Sequence, residues 1–581
     1  MRHSFLFNLN LIGLLALLCV QCTPATITPL PTPVLSVTRA ATATVTSAPP
    51  SPLPVATATA LPQASPAETL TSIPTTTTAP TAVPATPSTT QYNWLQFNGG
   101  ASHSGNNTLE TTLTASNVNS LARLFQVTLP AVEDGAPVYL SQVSTPKGTR
   151  NLLFLTTKAG HILALDALTG ETIWEHQYPA GSCRINNVGG PCFTTSSPAI
   201  DPSLQFVYSY GLDGYVHKYQ AGDGAEIKTG GWPELATLKP YNEKVSPALS
   251  IATLSNGASY LYVSNGGNLG DRGDYQGHIT AINLADGSQR VFNTLCSDQA
   301  VHFVETPGTP DCPAVQSAVW ARPGVVFDPA TGKIYFSTGN GAFNPASHDW
   351  GDSVLALNPD GTGANGNPLD SYTPVNFQQL DQADIDLGST APAILPAVPG
   401  SKLPHLAIQG GKDQMLRLIN LDNLSGQGKP GYTGGEIGPI IPVPQGGLVF
   451  SSPATWSNPA DGSAWAFVTT ANGISGIKIG VDASGNPKLN PAWTGNTGGS
   501  SPIVANGVLY YASSGKVLAL DPTTGKVLWT SSTIGAIHWE SPVVVNGVLY
   551  ITDESGHLTA FSLNGNPPNA TSRVYLPAVL S

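Results

Sequence analysis

One short phrase recurs along this chain and sets what it can fold into. Gly515-Lys-Val-Leu-Ala-Leu-Asp-Pro-Thr-Thr-Gly-Lys-Val-Leu-Trp529 reads as a β-hairpin. Val517 to Leu520 form a short apolar strand, Asp521 accepts backbone N–H groups across the turn, and Gly525 supplies a positive φ. Lys526 to Trp529 return, ending on an aromatic. The phrase recurs at Gly160–Trp174, and looser copies fall at 277–287, 353–361, 415–426 and 556–565. Eight strand–turn–strand units centre near 151–178, 206–230, 260–294, 334–361, 405–430, 465–495, 508–530 and 548–565. The last unit lacks a return strand. Leu121–Leu129 has no repeat of its own and is free to supply it, joining the first strand to the last blade and removing the open sheet edges. The fold predicted is all-β: an eight-bladed β-propeller over residues 91–568, four antiparallel strands per blade. Trp174 and Trp529 read as wedges between neighbouring blades.

Composition agrees with short strands and tight turns: 10% of residues are charged, against 60 Gly and 51 Pro. The net charge of −12 and the lack of any basic run argue against a nucleic-acid partner.

The ends read as targeting and spacing segments. Arg2 and His3 precede an apolar run, Leu9 to Val20, too short to span a bilayer comfortably. Residues 1–22 are thus predicted to be a signal peptide. Cys22 resembles the lipidated first residue of a bacterial lipoprotein, with Cys19 the alternative and ordinary cleavage the plainer reading. Residues 23–90 are nearly all Thr, Pro, Ala, Ser and Val; they cannot bury a core and read as an extended stalk. Residues 569–581 form a C-terminal tail, either a sorting signal or a last strand. The chain is expected to work outside the cytoplasm, on the cell surface, lipid-anchored or secreted. There Cys183 with Cys192, and Cys296 with Cys312, read as two local disulfides.

The repeat Ala-Leu-Asp-x-x-Thr-Gly-x-x-x-Trp and the opening Trp94-x-Gln-Phe97 resemble the propellers of the quinoprotein alcohol dehydrogenases and their non-enzymatic relatives, which share the pyrroloquinoline-quinone (PQQ) type repeat. Catalytic members hold the quinone beside Ca²⁺ in the central channel, and the resemblance implies a site. Asp328-Pro-Ala-Thr-Gly-Lys-Ile-Tyr-Phe-Ser-Thr-Gly-Asn340 is similar to the family segment ending on a calcium ligand, which casts Asn340 in that role. Asp384-Ile-Asp-Leu-Gly-Ser-Thr-Ala-Pro resembles the segment carrying the general base, with the match on Asp386. Lys412, before Asn420, matches the quinone-contacting lysine.

The chain also departs from the pattern. The loop that gives the family's metal a Glu is one residue shorter here, with Asn268 and Leu269 where the carboxylate belongs. Asp271 substitutes only if the loop shifts. Trp320 stands two residues before the match to the tryptophan under the quinone, where Arg322 lies instead; that offset keeps the strand face. No adjacent cysteines and no Cys-x-x-Cys-His haem motif occur.

A loop at Asn340–Gly351, with His348, Asp349 and nearby Asp352, reads either as a metal site or as hydrogen-bonded capping. Arg322 is expected to pair with Asp386.

Two functions compete. The first is a binding or scaffold propeller, a monomer that engages a surface protein, a glycan or a small ligand and touches membrane only through its N-terminal segment. The alternative is a PQQ- and Ca²⁺-dependent alcohol or sugar dehydrogenase. In it Asp386 is the base, Lys412, Trp320 and Arg322 contact the cofactor, and Asn340 and Asp271 hold the metal. Hydrolase signatures such as Gly-x-Ser-x-Gly and His-Glu-x-x-His are absent.

Overall fold

The computed structural model describes residues 91–568 apart from 180–181, 186–187, 269 and 306–310. The signal segment with Cys22, the stalk and the tail lie outside the described residues, as does the Cys183 side chain.

Eight four-stranded antiparallel blades follow one another. Their innermost strands are Val138–Thr145, Ala199–Ile200, Ser250–Thr253, Val326–Asp328, Ala393–Ile394, Ala454–Ser457, Ile503–Ala505 and Val543–Val545 for blades 1 to 8. Blade 8 takes its outer strand from the start of the propeller: Leu121–Thr128 pairs antiparallel with His557–Leu563. The ring closes as the sequence predicts. Among the described residues no helix is long and apolar enough to cross a membrane.

The repeated phrase forms the third and fourth strands of a blade. In blade 7, Asp521 Oδ1 accepts the N–H groups of Thr523 (2.9 Å) and Thr524 (3.0 Å), and Gly525 adopts φ 71°. Asp166 and Gly170 repeat this in blade 1. The tryptophans are seam residues. Trp174 donates its indole N–H to Ala221 O (2.9 Å) in blade 2, Trp493 to Pro522 O (2.8 Å) in blade 7, and Trp529 to Leu121 O (3.0 Å) in blade 8. At the seam of blades 2 and 3 a buried carboxylate, Glu234, stands against Gly287 instead, and burial pushes its pKa up to about 7.

Antiparallel order puts two kinds of segment at the same end of the ring: the one entering each inner strand and the loop between the second and third strands. The hairpin turns lie at the other end. That other end is closed by the segment Trp94 to Glu110. Trp94 exchanges backbone bonds with Tyr139 (2.9 and 2.7 Å), and Ile200 N–H donates to Leu95 O (2.8 Å). Gln96 Nε2 donates to Ile251 O (3.0 Å). Phe327, Thr455 and Val504 donate to Ala101, Ser104 and Gly105 at 2.7–2.8 Å, and Asn107 Nδ2 donates to Val544 O (2.7 Å). The strap thus grips inner strands of blades 1, 2, 3, 4, 6, 7 and 8. Phe97 is fully buried on its inner side.

Candidate functional site

The open end of the channel carries the charged chemistry. Each inner strand begins just after a proline: Pro137, Pro198, Pro247, Pro323, Pro392, Pro453, Pro502 and Pro542. Proline has no N–H to leave unpaired on the channel side. Three residues before these prolines stand Asp134, Thr195, Lys244, Trp320, Ser389, Phe450, Gly499 and Trp539. Thr195, Lys244, Trp320 and Trp539 line one cavity of about 360 Å³, together with Asp271, Arg322, Asp384, Asp386 and Lys412. Five residues singled out by the sequence, Asp271, Trp320, Arg322, Asp386 and Lys412, therefore share one cavity, and the sixth, Asn340, bonds into it.

Asp386 is the centre of this cluster and is 3% exposed. Its Oδ1 accepts the Asn340 N–H (2.7 Å), and its Oδ2 lies 2.8 Å from Lys412 Nζ. Lys412 also reaches Asp384 Oδ1 at 2.8 Å, and Asp384 is largely exposed. Burial raises the Asp386 pKa and Lys412 opposes it, with a net upward shift. The short loop does bring a carboxylate to Asn340: Asn340 Nδ2 lies 3.4 Å from Asp271 Oδ2, while Tyr275 O–H donates to Asp271 Oδ1 (2.7 Å). Gly339 allows the close approach. A Cβ there would fall 3.2 Å from Trp320 Nε1 and 3.3 Å from Asp386 Oδ1. Trp320 packs tilted against Phe450 and edge-on against Trp539, and Lys412 Nζ lies 5.5 Å from its ring centre.

Arg322 does not pair with Asp386. It turns towards the channel axis, 3% exposed. Nη1 donates to Thr195 O (3.1 Å) and Ser246 O (3.0 Å), and Nη2 to Asp134 O (3.3 Å). Phe97 of the strap backs it, 6.0 Å from guanidinium carbon to ring centre. The physical reason is register: at this level the other blades present only Ala or Ser, namely Ala136, Ser197, Ser246, Ala391, Ser452, Ser501 and Ser541. Only a long side chain fills the axis there, and eight converging strand ends supply carbonyls that satisfy it.

His348, Asp349 and Asp352 do not form a metal cluster. His348 Nδ1 meets Asn367 Oδ1 (2.9 Å), Asp349 Oδ1 accepts the Cys296 N–H (3.0 Å), and Asp352 Oδ1 accepts the Leu387 N–H (2.9 Å). The loop is capped by its polar groups. Cys296–Cys312 is a disulfide, and Cys192 is disulfide-bonded.

Across the channel lies a second charged group that the sequence reading missed. Asp134, His538 and Glu554 bring ligand atoms within 4.8 Å of one another. Lys158 already supplies the cation, 2.9 Å from Asp134 and 2.6 Å from Glu554. Burial pushes Asp134 up, but His538, Arg322 and Lys158 outweigh it and hold the carboxyl below its usual range. Behind it Glu133 and Glu540 are fully buried, each with one carboxylate oxygen lacking a protein partner. Burial pushes Glu133 up to about 8, and raises Glu540 as well. Glu554 follows the strand Val548–Asp553, but Glu133, Asp134, His538 and Glu540 fall in the segments before Pro137 and Pro542, equivalent to those carrying Trp320 and Asp386. The proline spacing is the signal that would have found them.

The donor set of Asp271, Asn340 and Asp386 consists of hard oxygens and suits Ca²⁺. An aromatic face on Trp320 and a cation at Lys412 suit a flat anionic quinone. The residues present therefore fit both groups.

Residues 94–365 match the family described as the glucose/ethanol/alcohol dehydrogenase β-propeller domain, and residues 458–567 match outer membrane protein assembly factor BamB. No curated protein matches the chain. Among solved structures, the fold is similar to a quinohemoprotein alcohol dehydrogenase from Pseudomonas putida HK5 (15% identity, 82% of this chain and 81% of that one, TM-score 0.57). It is also similar to one from Comamonas testosteroni (14%, 82% and 81%, 0.55) and to a europium-containing methanol dehydrogenase (15%, 81% and 98%, 0.55). With its eight closed blades and these two matched stretches, the chain is an eight-bladed β-propeller carrying PQQ-type repeats.

Proposed function

We propose that this propeller is an extracytoplasmic oxidoreductase that binds a PQQ-type quinone and a hard divalent cation at the channel mouth and oxidises an alcohol or sugar. The observation that carries it is the meeting of Asp271, Asn340 and Asp386, from three different blades, beside Trp320 and Lys412. The Cys296–Cys312 disulfide supports an oxidising compartment. Lipid anchoring through Cys22 remains part of this reading.

The bound quinone would supply the two-electron acceptor, and the cation a Lewis acid held by Asp271 and Asn340. The chain's own part is proton handling. Asp386 Oδ2 is the atom that receives the hydroxyl proton of the substrate. Lys412 guards that oxygen and has a second carboxylate, Asp384, on which to rest as Oδ2 is released. Asn340 N–H fixes Oδ1, so the carboxylate keeps its orientation.

The same Lys412–Asp386 ion pair favours a second reading, a binding propeller without redox chemistry, because the base is already neutralised. Titrating the full chain with PQQ, with and without Ca²⁺, separates the two. Saturable quenching of tryptophan emission that needs Ca²⁺, and that weakens in Asp271→Asn, supports the oxidoreductase. A folded chain that takes up no PQQ leaves the binding propeller.

A further inference from the structure

Among the described residues, the buried and half-buried cations around the channel mouth are compensated with one exception; Arg272 is exposed to solvent. Lys158 has Asp134 and Glu554, Lys412 has Asp384 and Asp386, and Lys239 has Glu243 at 3.3 Å. Arg322 has three backbone carbonyl groups. Among the described residues Lys244 Nζ forms no ion pair and donates no hydrogen bond; it sits 3.8 Å from the centre of the Phe193 ring. The backbone explains why. Glu243–Lys244 pairs as a strand with Gly266–Gly267, so neighbouring side chains point to opposite faces. Glu243 points away from the cavity, where its Oε1 accepts the Gln276 N–H (3.2 Å) and faces Lys239. Lys244 lines the cavity, alongside Thr195, Ser246 and Trp320.

A half-buried ammonium on an aromatic face is incompletely compensated. The ring supplies part of what water gave, and a carboxylate would supply more. Burial pushes the Lys244 ammonium down to about 8, the direction expected of a charge without its partner. We infer that Lys244 is the anion-docking residue of this cavity and receives a carboxylate of the bound ligand. This rests on the reading that the cavity is the ligand site. The carboxylate has two sources: the quinone itself, or an acidic substrate such as a sugar acid. The Ser246 side chain in the same lining offers a hydroxyl to the same group, whereas the Thr195 hydroxyl is already donated to Ser246 O (3.0 Å).

The test uses the full chain, wild type against Lys244→Gln and Lys244→Arg, with two acid–neutral pairs followed by calorimetry. One pair is PQQ and its trimethyl ester, and the other is galacturonate and galactose. A tenfold or greater weakening of PQQ in Lys244→Gln, with the ester unaffected and Lys244→Arg close to wild type, supports docking of the quinone carboxylate. The same pattern confined to galacturonate supports docking of an acidic substrate. Either acid binding equally well to Lys244→Gln and wild type, with the other acid not discriminating, overturns the inference, as does failure of both acids to bind wild type. PQQ binding that ignores Lys244, with galacturonate not discriminating either, would leave the oxidoreductase reading intact while removing this one. Galacturonate docking without PQQ binding would do the reverse.

Discussion

The two ends of the channel use similar backbone and opposite chemistry. At the strap end, inner-strand groups are paired one by one: backbone to backbone at Trp94, Leu95, Ala101, Ser104 and Gly105, amide to carbonyl at Gln96 and Asn107. Its one buried imidazole, His103, is held between Phe97 O (2.6 Å) and Ser250 Oγ (3.0 Å). At the open end, Lys244 lacks a counter-charge and Glu133 and Glu540 each keep an unpartnered oxygen. Buried polar groups left short of partners cost stability. At the strap end only neutral groups, Trp94 Nε1 and Asn98 Nδ2, stay buried without a partner among the described residues, whereas at the open end it is charged groups that are left short; that difference fits structure at the first and the proposed binding at the second.

The comparison can be tested from the strap end first. Phe97→Ala removes a fully buried ring and should cost about 3–5 kcal/mol. Urea denaturation monitored by tryptophan emission would show it. A loss below about 1 kcal/mol would mean the strap is only laid on the channel and does not close it.

At the open end the expected loss is of activity rather than stability. Asp386→Asn should lower dye-linked alcohol oxidation by roughly 10²–10⁴-fold, while the midpoint of unfolding holds or rises because a buried charge is gone. Unfolding at much lower denaturant would recast Asp386 as a structural hub.

The ends should also differ in pH response. Burial lowers His103 from 6.5 to about 4, so the fold keeps it neutral. Its contribution is complete above pH 6.5 and is lost as pH falls towards about 4, on the order of 3 kcal/mol. Burial raises Glu133 from 4.5 to about 8, so here the fold holds the extra proton. That contribution is complete below pH 4.5 and is lost as pH rises towards about 8, of similar size. Melting temperatures across this range should show an acid limb that flattens in His103→Asn and an alkaline limb that flattens in Glu133→Gln. If each variant flattens the other limb, the assignment of the two ends fails.

The smallest effect sets the baseline. Lys478→Ala breaks an exposed pair with Asp461 and should cost less than about 1 kcal/mol.

How much of this was legible in the sequence follows from period and register. The eight blades and the closure by Leu121–Thr128 could be read because each hairpin carries its own Asp and Gly turn chemistry. The strap was not readable as a plug: its partners lie up to several hundred residues away, and nothing in Trp94–Glu110 alone says which strands it meets. Asp386, Lys412 and Asn340 were found by resemblance to a motif. Asp271 was found with them, but only the folded loop shows that a shorter Gly266–Gly273 stretch still brings its carboxylate beside Asn340. The error on Arg322 came from assigning a partner by charge alone. In a ring of strand ends, backbone carbonyls outnumber carboxylates, and the guanidinium took them. Lys244 and Asp134 stood in the same slot before the proline as Trp320, and were missed because the eight prolines were not aligned with one another.

The most direct measurement is a crystal structure of the protein soaked with PQQ and Ca²⁺. The account predicts a flat ligand against Trp320, with a metal about 2.3–2.6 Å from oxygens of Asp271 and Asn340. Lys412 should be seen leaning on Asp384. A cavity whose Lys412–Asp386 pair is unchanged, with no ligand beside Trp320, would contradict it and leave this propeller as a binding module whose ligand is not a quinone.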